Sequence, residues 1–115
     1  MSHKRHSSLS AKMRAHAVIF AALGDATRLS LVAKLCSRQP RSISQLSERS
    51  KLTRQAITKH LRVLESAGIV HSVHKGRETR FEFDLEPMAE AREYLDFVSE
   101  QWGEALSRLK AFIED

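Results

Sequence analysis

Cysteine is nearly absent: Cys36 stands alone, so no disulfide can close within the chain, and a reducing compartment suits it. Long apolar runs are absent too. The longest, AVIFAAL at residues 17–23, falls far short of the roughly 20 residues a bilayer-spanning helix needs. The opening MSHKRHSSLS lacks the apolar block of a secretory signal, so a soluble cytoplasmic protein with no membrane partner is expected. There is no glycine-rich phosphate loop, no nucleophile elbow and no Cys/His/Asp constellation. Catalysis therefore has no candidate residues, no cofactor is expected, and an enzyme is the weakest reading. Internal repeats and low-complexity segments are missing as well.

Acidic residues are scarce where basic ones are dense. Residues 1–80 hold 16 Lys/Arg against 4 Asp/Glu, and residues 81–115 hold 3 against 10, so a segment of +12 precedes one of −7. A basic body with an acidic tail segment points the first part toward a polyanion and the second away from it, although a basic surface also serves solubility alone. With 115 residues the chain suits one compact domain.

Residues 1–9 are polar, basic and aperiodic, the composition of a disordered arm, and residues 10–115 make up the single domain. From Ser10 to Leu23, the residues Ala11, Ala15, Val18, Ile19, Ala22 and Leu23 recur at helical spacing until Gly24 stops the run. Asp25 suits the N-cap of a second helix with Leu29, Val32, Ala33 and Cys36 inward, the last as a small buried residue. Ser42 and Gln45 form a capping box for a short third helix, SISQLSERS. A fourth helix starts at Thr53 and ends at Gly68. IVHSVH and TRFEFD alternate as two strands of a hairpin joined by KGRE, with Thr79, Phe81 and Phe83 on one face. Pro87 opens a last helix reaching about residue 113. The expected fold class is mostly α with a small β-hairpin.

In that last helix Met88, Ala91, Leu95, Val98, Trp102, Ala105, Leu109 and Phe112 alternate in steps of three and four residues, the heptad pattern of helix pairing. A helix of about 28 residues extends about 40 Å at 1.5 Å per residue, longer than a core built from the preceding residues covers. Part of the seam is therefore expected to bury itself on a second copy, giving a homodimer.

The fourth helix, LTRQAITKHLRVLESAGIV, divides sharply. Ile57, Leu61 and Leu64, widened by Ala56, Val63 and Ala67, make one flank, while Arg54, Gln55, Thr58, Lys59, Arg62, Glu65 and Ser66 fill the other. Arg matches the O6/N7 pair of guanine, Gln the N6/N7 pair of adenine, and Thr offers a hydroxyl and a methyl, so the polar flank has groups that read a major groove. A merely solvated face has the same composition. The short helix just before it and the hairpin just after, whose tip carries Lys75, Gly76 and Arg77, together describe a winged helix-turn-helix.

FAALGDATRLSLVAKL, ISQLSERSKLTRQAITKHLRVLESAGIV and KGRETRFEF resemble the ArsR/SmtB family of dimeric winged-helix repressors, from about residue 15 to 85. The last thirty residues resemble the final helix of a subgroup without the usual metal sites, small autorepressors among them. The resemblance implies a transcriptional repressor on a palindromic double-stranded DNA operator. Arg54, Gln55, Thr58, Lys59 and Arg62 would contact bases and nearby phosphates, with Ser42, Thr53 and His60 positioning the backbone and Lys75, Arg77 and Arg80 forming the wing. Val18, Ile19 and Ala22 of the first helix, with Met88, Ala91, Leu95, Val98, Trp102, Ala105 and Leu109, would form the dimer interface.

The metal-binding positions of such relatives fall at Ser42 and Ser44, where hydroxyls do not replace thiolates, and the last helix has no histidine. His71 and His74 are three apart on a strand and point to opposite faces, and Glu90 and Glu93 read as a solvated face, so no metal site is expected. Two alternatives stay open: control by an unknown small effector or a metal at an unrecognised site, and a protein-interaction module that keeps the winged fold.

Overall fold

The computed structural model describes residues 2–36 and 39–114, with side chains from residue 11 onward. Five helices and three short strands follow in the order α1 (Ser2–Leu23), α2 (Ala26–Leu35), β1 (Arg41–Ser42), α3 (Ile43–Ser47), α4 (Arg54–Ser66), β2 (Val70–Lys75), β3 (Glu78–Phe83) and α5 (Leu85–Glu114). This is a winged helix-turn-helix: α3 and α4 form the helix-turn-helix and β2 and β3 the wing.

Side chains set the helix boundaries. Asp25 caps α2 by accepting the Arg28 N–H at 3.0 Å, and Ser42 and Gln45 close a reciprocal capping box on α3. Thr53 caps α4 through the Ala56 N–H at 3.1 Å. Past the end of α4, Gly68 takes φ 79, the left-handed conformation that glycine adopts without a Cβ clash. The chain thereby turns straight into the wing.

Ile57, Leu61 and Leu64 of α4 are fully buried and share the core with Leu31, Val32 and Leu35 of α2, Leu46 of α3, Ile69, Val70, Phe81, and Ile19, Ala22 and Ala91 from α1 and α5. β2 and β3 pair antiparallel from Val70↔Phe83 to Lys75↔Glu78 across a two-residue loop. Its first residue, Gly76, has φ 67, where a II′ turn takes glycine.

Several expectations are corrected. The hairpin is part of a three-stranded sheet, order β1-β3-β2, because Arg41 and Ser42 pair with Phe81 and Arg80. α1 begins at Ser2, inside the stretch read as a disordered arm. SHKRHSSLS holds no glycine or proline, and extending an existing helix adds one hydrogen bond per residue fixed. α3 is shorter than read, ending at Ser47, and α5 begins at Leu85, ahead of Pro87. The inner face of α2 is Leu31, Val32 and Leu35, while Leu29, Ala33 and Cys36 are exposed. Val63, placed on the buried flank of α4, is also exposed, at the edge of that arc.

The last helix is divided along its length. Ala91 is buried and Met88 half-buried against α1 and the core, whereas Leu95, Trp102 and Leu109 are 51%, 65% and 54% exposed. Ile19 and Ala22 are likewise buried inside their own protomer, so they and Ala91 are core residues and not free interface residues. The stripe that α1 and α5 share is used up where the two helices pack on each other. Val18 and Ala105 remain exposed and Val98 half-exposed.

Truncating Leu61, which has no exposed surface, to alanine is expected to cost about 2–5 kcal/mol, read from urea or thermal unfolding.

Candidate nucleic-acid interface

Because Ile57, Leu61 and Leu64 are held inward, the opposite flank of α4 is turned to solvent, and Arg54, Gln55, Lys59 and Arg62 are all exposed. Thr58 is half-exposed, and its hydroxyl donates to the Arg54 carbonyl at 2.8 Å. That back-bond uses the hydroxyl's one hydrogen and leaves Thr58 with a methyl and an acceptor oxygen to offer. Glu65 does not share the open surface: it accepts a hydrogen bond from the Ser72 hydroxyl of β2 and ties the helix to the wing. The acidic charge of α4 is thus drawn aside from its cations.

The wing tip carries Lys75, Gly76 and Arg77, all exposed. Arg80 is part of the wing root instead. Its guanidinium is half-buried and donates to Glu78 at 3.1 Å from Nη2, beside the Ser42 hydroxyl. Ser42 itself is 4% exposed, so it is a cap inside the body and does not face a ligand on the α4 surface. Its hydroxyl accepts the Gln45 N–H at 3.1 Å. Thr53 is exposed, with its hydroxyl committed to the helix cap.

His60 is also turned inward. Its Nδ1 lies 3.9 Å from the Asp25 carboxylate and 3.5 Å from the Arg28 guanidinium. Arg28 donates in turn to the carbonyls of Ala21 and Ala22 at the end of α1. Its place in the apolar arc of α4 predicts a packed histidine with a ring nitrogen near a phosphate; the ring is packed, and that nitrogen faces the start of α2.

Three groups on this side escaped sequence reading. Arg49 and Lys51 are exposed cations in the turn between α3 and α4, and Arg49 has φ 59, an uncommon conformation for a residue with a Cβ. The spacing of cations in SERSKLTR was the available signal. Ile43, the first residue of α3, is half-buried and lines a shallow groove with Arg54, Gln55, Thr58 and Lys59. No one-dimensional pattern links it to them, since the juxtaposition depends on how α3 crosses α4.

His71 and His74 do not come together. His71 Nε2 lies 3.0 Å from Asp84, which also accepts the Glu86 N–H at the start of α5, and His74 pairs with Thr79 at 3.3 Å. Among the described residues, no group of three or more His, Cys, Asp or Glu side chains is placed to hold a metal ion, and no helix is long and apolar enough to cross a membrane.

An ordered pair of helices with an exposed cationic second member, followed by a basic hairpin, defines a DNA-binding winged helix-turn-helix. Comparison with known proteins gives the family. The helix-turn-helix domain family matches residues 23–73. The uncharacterized HTH-type transcriptional regulator YuzN of Bacillus subtilis (strain 168) is 42% identical over 76 residues, covering 61% of this chain and 83% of YuzN. Among solved structures, an ArsR-like transcriptional regulator from Rhodococcus sp. RHA1 superposes with a TM-score of 0.75 at 34% identity, over 87% of this chain and 93% of that one. A homodimeric winged helix-turn-helix DNA-binding domain from Mycobacterium bovis shares the fold at 19% identity and a TM-score of 0.61, over 88% of this chain and 90% of that one. The chain belongs to the ArsR family of DNA-binding transcriptional regulators.

Two carboxylates that hold the interface in place titrate low. Hydrogen bonds from the Arg80 guanidinium and then the Ser42 hydroxyl hold Glu78 below its ordinary 4.5. The backbone N–H of Arg28, followed by the Arg28 charge, holds Asp25 below 3.8. With folded-state values below unfolded ones, their contribution is complete above the ordinary carboxylate range and drains away as pH falls through it. A Glu78→Gln, Asp25→Asn double variant is expected to show a shallower decline of melting temperature between about pH 5 and pH 3 than the parent chain.

Proposed function

We propose that the protein is a homodimeric repressor that occupies a palindromic operator, inserting α4 in the major groove and resting the wing tip on the flanking backbone. One observation carries this reading. Arg54, Gln55, Lys59 and Arg62 share the exposed flank of a helix seated on the fully buried Ile57, Leu61 and Leu64, which gives the fixed, protruding reading surface that groove recognition requires. Arg54, Lys59 and Arg62 supply charge for phosphates and guanine edges, and Gln55 supplies the paired donor and acceptor that adenine matches. Lys75 and Arg77, at the wing tip, supply cations for phosphates or the neighbouring minor groove.

Dimerisation is supported by the distal half of α5. Leu95, Trp102, Leu109 and Phe112 are all more than half exposed in the protomer, a contiguous apolar stripe that soluble monomers rarely leave in water. The same architecture forms a homodimer in the Mycobacterium bovis domain. A two-fold pair sets two α4 helices against successive major grooves, about 34–36 Å apart, and bound to a promoter such a dimer blocks transcription.

Gln55→Ala is expected to change the preferred bases at one position of each half-site, whereas Lys75→Ala weakens all duplexes alike and lowers the salt slope by about one counterion. Binding to randomised duplexes across a salt series reads both effects, and identical losses at every base for the two variants would refute the assignment. Trp102→Glu with Leu109→Glu is expected to yield a folded monomer that has lost the operator. Sedimentation and circular dichroism check it, and an unchanged dimer rules out the α5 seam.

A further inference from the structure

We infer that the protein reads a thymine in each half-site through its 5-methyl group, which seats against Ile43 and the Thr58 methyl in the groove between α3 and α4. The inference rests on the operator-binding reading above and adds the chemistry of one base.

The groove on the reading face is not uniformly polar. Its walls are Arg54, Gln55, Lys59 and Thr58, and Ile43 contributes an apolar surface among them. Ile43 is half-buried because one side packs on the core and the other opens into the groove. Thr58 adds a methyl, and its hydroxyl hydrogen is held by the Arg54 carbonyl at 2.8 Å and so is not available to donate to a base. An apolar notch flanked by Arg54 and Lys59 matches a polyanionic duplex that offers an apolar group in its major groove. Among the four bases only thymine does so, through the methyl on C5. Gln55, lining the same groove, suits the adenine of an adjoining A·T pair through N6 and N7. Ile43 lies on α3, outside the helix that enters the groove, so the specificity comes from the junction of the two helices.

The test uses the full chain and duplexes enriched by it from a randomised pool. Each dT of the preferred half-site is replaced by deoxyuridine, which keeps every hydrogen-bonding group and removes only the methyl. One replacement is expected to weaken binding about four-fold per half-site, as burial of one methyl-sized group implies, and about fifteen-fold when made in both. Replacements elsewhere should have no effect. In Ile43→Ala, the preference for dT over deoxyuridine at that position should fall by about half. Thr58→Ser keeps the hydroxyl bond and loses only the methyl, so it halves the discrimination without depending on how Ile43→Ala folds. Equal binding of dT and deoxyuridine duplexes by the parent chain overturns the inference while leaving DNA recognition standing. An undiminished deoxyuridine penalty in both variants overturns it too. Failure of the chain to bind any duplex sinks the operator reading and this inference together.

Discussion

Everything on the reading face depends on the burial of Ile57, Leu61 and Leu64, none of which retains solvent exposure. Full burial of such side chains is worth about 1.5–3 kcal/mol each, so rotating α4 to expose them costs several kcal/mol. With that flank fixed, the polar residues of α4 have one direction left. Their outward display follows from what the apolar residues avoid. The wing inherits the same constraint, because Gly68 reverses the chain and Ile69 and Val70, 0% and 1% exposed, re-enter the core at once. Two exposed basic surfaces are thereby set by one hydrophobic seating.

The polar contacts around that seating act on a smaller scale. The Glu78–Arg80 pair and the Asp25–His60 approach are partly exposed, so solvent screens them and they add little to stability. Their importance is directional. Ser42 caps α3 and bonds Glu78, so the start of the helix-turn-helix and the root of the wing share one hydroxyl. Arg28 joins the last carbonyls of α1 to the surroundings of His60, linking the first helix to α4. Apolar burial supplies the stability, and these polar links choose among orientations that burial alone leaves similar.

The architecture and the two-flanked division of α4 were largely legible in the sequence because their signals are local. Thr53, Asp25 and Ser42 cap within their own first turns, Gly68 stops within one residue, and the apolar spacing of α4 admits a single buried flank. The residues that misled are those whose environment is set from elsewhere in the chain. In LSLVAKLC apolar side chains occupy so much of the helix circumference that two stripes fit, and the one chosen by packing lies about 100° from the one expected. β1 has two residues, too few for an alternation to appear. Ser42, Arg80 and His60 have the chemistry of DNA contacts, but tertiary neighbours, Glu78 for the first two and Asp25 for the third, engage those groups in the body. Residue type proposes a role, and long-range packing assigns the direction.

The division of charge along the chain completes the argument from orientation. α5 carries seven acidic residues, against the cations that crowd the α3–α4 turn, α4 and the wing tip. Near a polyanion these two populations experience opposite forces. The acidic residues of α5 leave its heptad positions apolar. The same helix is free to run beyond the core for about 45 Å of total length at 1.5 Å per residue, since its burial is not required for α4 to be held. The distal apolar stripe and the core seating are separate: losing the stripe leaves the burial of Ile57, Leu61 and Leu64 intact, whereas losing that burial would unseat α4 itself.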